Sequence, residues 1–84
     1  MKFSLITFRS VTPAQRGEKH LQRMGYDCSL LRTPRWMQEQ GCGYSIRVRN
    51  ADVQQCVQIF REIGIPFQKI YLLRDNGATE ELAI

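Results

Sequence analysis

Tyr44-Ser45-Ile46-Arg47-Val48-Arg49 alternates apolar and polar side chains, the period of a strand with one buried and one wet face. Just before it stands Gly41-Cys42-Gly43; just after it Asn50 can cap a helix. That helix has an apolar face of Val53, Cys56, Val57, Phe60 and Ile63 and is closed by Gly64 and Pro66. Upstream, residues 27–32 (DCSLLR) read as another strand, stopped by Pro34. Residues 33–43 have no clear period and carry Pro34, Gly41 and Gly43, so they read as a loop. The middle of the chain is therefore strand, loop, strand, helix.

Working outward, Phe3 to Phe8 has the composition of a buried strand. Thr12-Pro13-Ala14-Gln15 reads as a helix start, with Thr12 as N-cap, Pro13 at the first helical position and Gln15 closing a capping box. Ala14, Gly17, Leu21 and Met24 make its apolar stripe, and Gly25 its left-handed end. Phe67 to Leu73 reads as the last strand, with Ile70 and Leu72 opposite Lys69, Tyr71 and Leu73. The order β-α-β-β-α-β predicts an α+β, ferredoxin-like sandwich, with two helices on one face of a four-stranded antiparallel sheet. One domain is expected over residues 1–75, with residues 76–84 as a tail that is frayed or adds a short turn. Because strand directions alternate, residues 9–12, 33–43 and 64–66 fall at one end of the sheet. The positive N-terminus of the first helix points to that same end.

A chain of 84 residues has room for one small domain and excludes an enzyme with separate cofactor and substrate lobes. Charged residues at 24% beside 43% hydrophobic residues argue against disorder. The apolar runs are too short to span a membrane and no signal peptide opens the chain, so a soluble cytoplasmic protein is expected. The net charge of +4 is uneven: residues 1–49 carry nine Lys/Arg and three Asp/Glu, residues 50–84 three and five. Such asymmetry suits an anionic ligand or an acidic protein. There is no basic run of the kind that forms a nucleic-acid arm, and nucleic acid is not an expected partner.

Cys28, Cys42 and Cys56 are odd in number, so no complete intramolecular disulfide framework exists and free thiols are expected. A bridge between Cys28 and Cys42 stays open. Three cysteines and His20 make four zinc ligands on paper. The cysteines lie 14 residues apart, however, and structural zinc sites bring ligands in close pairs. Neither metal nor cofactor is expected.

Cys42 stands between two glycines, which free the backbone and leave the sulfur open to a large partner. Successive amides in such a turn can form an anion-binding nest. The thiolate is the nucleophile, and its pKa of about 8.5 falls beside cations or a helix N-terminus. Arg35, Arg47, and the helix start with Ser10 and Thr12 could supply that stabilisation. The competing reading is a tight turn in which Cys42 is merely small. Cys56 shares the stripe of Val53, Val57 and Phe60 and reads as core; Cys28 reads as structural and His20 as solvated. Trp36 beside Arg35 either anchors a partner or folds back over the sheet end. Phosphate loops, paired carboxylates and Ser/His/Asp arrangements are not visible.

Thr33-Pro34-Arg35, then Gly41-Cys42-Gly43 and Ile46-Arg47, resemble the selenium/sulfur carrier-like domain, a small family of largely unknown function. Ser10 and Ala14 match its Ser-x-x-x-Ala-like helix entry, and Gly64-Ile65-Pro66-Phe67 its closing segment. The resemblance runs over residues 3 to 73, and the Cys-Gly with its upstream Pro-Arg is its most specific part. Similar domains occur fused behind a sulfur-carrier domain with a Cys-Pro dipeptide, which this chain lacks. The family's loop is commonly Ser-rich where this chain has Trp36-Met37-Gln38-Glu39-Gln40. The resemblance implies a carrier of sulfur or selenium that uses Cys42, with donor and acceptor proteins as partners.

With Cys42 as the thiol, Gly41 and Gly43 give access, Arg35, Arg47 and the Ser10 end of the helix stabilise the anion, and Trp36 helps dock the partner. A carrier or accessory protein is expected rather than a stand-alone enzyme, since no general acid/base pair is visible near the thiol. The alternative is a regulatory or interaction module without thiol chemistry, pairing through Tyr71, Leu73 and Trp36, with a homodimer left open. A third reading, single-stranded RNA on Arg47, Arg49 and Tyr71, lacks the aromatic-rich motif of an RNA-recognition strand.

Overall fold

The structure, a computed structural model, describes residues 3–32, 43–73 and 79–81. Strand β1 (Phe3–Phe8) leads into helix α1 (Val11–Arg23), then β2 (Cys28–Arg32) and β3 (Tyr44–Arg49). One turn of 3-10 helix (Asn50–Asp52) precedes α2 (Val53–Ile63), and β4 (Ile70–Leu73) and β5 (Thr79–Glu81) follow. The strands form one antiparallel sheet in the order β2-β3-β1-β4-β5. The first four strands and two helices make the ferredoxin-like α+β arrangement that the sequence predicts. Beyond it, β5 pairs with β4, Tyr71 opposite Glu81 and Leu73 opposite Thr79. Part of the expected tail is thus a fifth strand.

The register sorts side chains onto two faces. Ile6 lies opposite both Ile46 and Ile70, and with Phe8 and Val48 these form the floor under the helices. Ala14 and Leu21 from α1, and Val53, Cys56, Val57 and Phe60 from α2, close the core from above. Phe60 meets Phe8 edge-on, with ring centroids 5.8 Å apart, a geometry worth about 0.5–1.5 kcal/mol beyond the area buried. Gly17 is what lets α1 descend onto this pair. A Cβ there would lie 3.0 Å from the Phe60 ring and 3.2 Å from Ile46 Cδ1.

Both helices end as Gly25 and Gly64 predict, each glycine having a positive φ. At the end of α1, Gly25 N–H donates to Gln22 O and Tyr26 N–H to Leu21 O, both at 3.0 Å, the paired bonds of a Schellman motif. At the end of α2, Ile65 N–H donates to Phe60 O at 2.9 Å. That turn swings Ile65 into the core, 3% exposed, and leaves Ile63 39% exposed, reversing the expected place of Ile63 on the apolar face. Met24, expected on the α1 stripe, is likewise 52% exposed because the helix stops one residue before it.

The helix starts also differ from expectation. Ser10, not Thr12, holds the extended N-cap position of α1, and no side-chain cap bond forms. Pro13 falls inside the first turn, where its missing N–H leaves no intrahelical bond broken. Asn50 does not cap α2; its Oδ1 accepts the Ser4 hydroxyl and ties the end of β3 back to β1. The last strand is shorter than residues 67–73. Thr7 nevertheless holds the segment before it, accepting from Gln68 N–H at 2.7 Å and donating to Lys69 O at 2.8 Å through its backbone. No helix among the described residues is long and apolar enough to cross a membrane.

Candidate functional site: the Gly43 end of the sheet

Phe8 lies opposite Tyr44, and Arg32 lies opposite Tyr44 on its other side. One end of the sheet thus gathers the close of β1, the close of β2 and the opening of β3, with Gly43 immediately before Tyr44. Helix α1 starts three residues after Phe8, so its N-terminus and Ser10 belong to this end too. Arg9 and Ser10 are exposed. The first turn of α1 holds no acidic residue of its own to offset the positive end of the helix dipole.

Arg32 is the cation that sequence reasoning missed. Its guanidinium carbon sits 5.9 Å from the centre of the Tyr44 ring, a cation–π distance. The signal was its position as the last residue of β2, directly before Thr33-Pro34-Arg35, yet only the register of β2 on β3 sets it beside Tyr44. Arg47 goes elsewhere. It lies three residues along β3, opposite Leu5, and its guanidinium stacks 4.6 Å over the Phe3 ring at the opposite end of β1. The structure therefore brings Ser10 and Gly43 to one end and does not bring Arg47 there. Arg35, Trp36, Gly41 and Cys42 lie outside the described residues. Cys42 directly precedes Gly43 in the chain.

The other two thiols are interior. Cys28 is 7% exposed and Cys56 is fully buried. Burial pushes the Cys28 thiol up to about 11, with the nearby Glu18 and Asp27 adding to the effect. It pushes Cys56 up to about 12, with Asp52 and then Cys28 adding. Cys28 Sγ also donates weakly to the Glu18 backbone oxygen at 3.7 Å. Both thiols are protonated packing groups at neutral pH, without nucleophilic character.

His20 lies on α1, half-buried and outside the core cluster that holds Cys28 and Cys56. Among the described residues no three His, Cys, Asp or Glu side chains gather as metal ligands. Arg47, Arg49 and Tyr71 do share the helix-free sheet face, Arg47 and Tyr71 flanking Leu5, and Arg47 there is engaged by Phe3.

No curated protein and no solved structure matches the chain significantly. The model of the family described as "Putative Se/S carrier protein-like" matches residues 3–72, a span from the start of β1 into β4 that includes Cys42, Gly43 and the arginine-bearing end of the sheet. The chain belongs to that Se/S carrier-like family.

Proposed function

We propose that the protein carries sulfur or selenium on Cys42, as a persulfide or selenosulfide, between a donor and an acceptor protein. The observation that supports this most is the packing of the other two thiols. Cys28 and Cys56 lie in the core and are pushed up to about 11 and about 12, which directs the choice of exchanging thiol to Cys42. Its neighbour Gly43 opens β3 at the end of the sheet that bears Arg9, Arg32 and the start of α1. Positive charge and a helix N-terminus are what favour a thiolate.

The transfer step balances without an external oxidant. The Cys42 thiolate attacks the terminal sulfur of a donor persulfide; the new sulfur–sulfur bond forms as the donor's own breaks, and the donor leaves as its thiolate. The terminal atom keeps its proton and its oxidation level, and a donor carrying selenium transfers it by the same displacement. Onward delivery is the same displacement in reverse roles, with an acceptor nucleophile taking the atom and Cys42 leaving as thiolate. In this reading Gly41 and Gly43 give access, Arg35 adds to the charge, and Trp36 docks the partner.

The test is loading by a cysteine desulfurase with cysteine as the sulfur source, followed by intact-protein mass spectrometry. The wild-type chain gains one sulfur, and Cys42→Ala, with an unchanged circular dichroism spectrum, gains none. Undiminished loading of Cys42→Ala overturns the proposal.

A further inference from the structure

A second feature stands apart from Cys42. Arg16, Lys19, His20 and Arg23 recur on α1 at intervals of three and four residues, which sets them on one face of the helix. With Ile63 and Ile65 they line a groove of about 230 Å³ beside the end of α2. Arg16, Lys19 and Arg23 are exposed and His20 is half-buried. Among the described residues, no side-chain hydrogen bond or ion pair joins any of the four to another, Glu62 beside Ile63 included. Placing His20 and Arg23 in the last turn of α1 suits its dipole. That role does not extend to Arg16, which lies about a full turn nearer the helix start than His20, and Lys19 also precedes the last turn.

We propose that this groove docks an acidic segment of a partner protein that also carries aliphatic side chains. Charge complementarity asks for carboxylates against the four basic groups. The aliphatic part follows from Ile63, which with Met24 is one of two large apolar side chains exposed among the described residues. Nucleic acid fits less well. From Arg16 to Arg23 the basic face runs only about 10 Å along the helix, and among the described residues no aromatic side chain lines the groove to stack a base. The groove is also too small for a typical organic ligand, whose pockets start at about 300 Å³. Its apolar side comes from Ile63, the last residue of α2, and from Ile65 just after the Gly64 turn. The docking holds whatever chemistry Cys42 performs.

The experiment is fluorescence anisotropy of the full chain with a fluorescein-labelled peptide of alternating Glu and Leu. A Lys/Leu peptide and a short oligothymidylate serve as competitors. The acidic peptide binds, and weakens steeply between about 20 and about 200 mM salt as the screening length shortens. Arg16→Ala with Arg23→Ala, both at exposed positions, lowers affinity about tenfold, a loss of about 1.4 kcal/mol. Arg16→Lys with Arg23→Lys keeps most of it, and Arg49→Ala on the opposite sheet face changes nothing. Three results each overturn the proposal. The acidic peptide does not bind, the folded double alanine variant binds it like wild type, or oligothymidylate binds at least as tightly and depends on the same two arginines.

Discussion

The two ends of the sheet differ in the charges they bring together. At the far end, where β2 starts and α2 begins, Cys28 and Cys56 are enclosed by the core. Glu18, Asp27 and Asp52 stand near enough to disfavour a second negative charge. At the Gly43 end, the described charged groups include Arg9, Arg32 and Lys69, and α1 presents its N-terminus. One element type thus supplies a packing atom at one end and, in the proposed carrier, a nucleophile at the other. The difference lies in burial and in the sign of the neighbouring charges.

If that contrast is right, the largest effect is alkaline. Both interior thiols have folded pKa values well above the ordinary thiol value of about 8.5, so the native state keeps protons that the unfolded chain releases. Their contribution is fully present below about pH 8.5 and is lost as pH rises through about 11 and 12. Denaturant melts across this window should show stability falling by on the order of a few kcal/mol. Cys28→Ala with Cys56→Ala should flatten that slope, whereas Cys42→Ala should leave it in place. A slope unchanged by the interior double variant would break the comparison.

Next in size is substitution by serine. Cys56→Ser puts a hydroxyl at a fully buried site and should cost about 1–3 kcal/mol, while Cys42→Ser should stay within about 0.5 kcal/mol. Equal costs, measured by urea melts, would mean that the two ends do not differ in packing. Smaller still is Gly17→Ala. The new methyl meets the Phe60 ring at 3.0 Å, an overpacking cost of about 1–3 kcal/mol. The gain in helix propensity, about 1 kcal/mol, offsets part of it. A net loss is expected in thermal melts, and a stabilised variant would show that α1 can lift off the core without penalty.

Much of this architecture was legible because period and punctuation agree. The alternation of residues 44–49, the apolar spacing of residues 53–60, and Gly25 and Gly64 each point to the element observed. What escaped depends on pairing rather than on side-chain pattern. Residues 79–81 are Thr-Glu-Glu, polar throughout, and become a strand because the edge of β4 offers them backbone partners. Asn76-Gly77 before them was a hairpin signal read only as a turn. Ile63 and Ile65 exchanged roles because the left-handed Gly64 redirects the chain, which helical spacing cannot express. At the candidate site, Gly43 and Ser10 were placed together by topology alone. Arg47 was assigned there from its nearness in sequence to Cys42, but alternation along β3 and the Phe3 ring carry it away. Arg32 was passed over because its neighbour Tyr44 is 12 residues on in the chain and adjacent only across the strand pair.

The most direct measurement is the pH dependence of iodoacetamide alkylation, cysteine by cysteine, read by mass spectrometry on the native protein. The account predicts that Cys42 reacts rapidly, with an apparent pKa below the ordinary thiol value of about 8.5. Cys28 and Cys56 should be labelled only through opening of the core, orders of magnitude more slowly. Labelling of Cys42 no faster than that of Cys28 and Cys56 would contradict it.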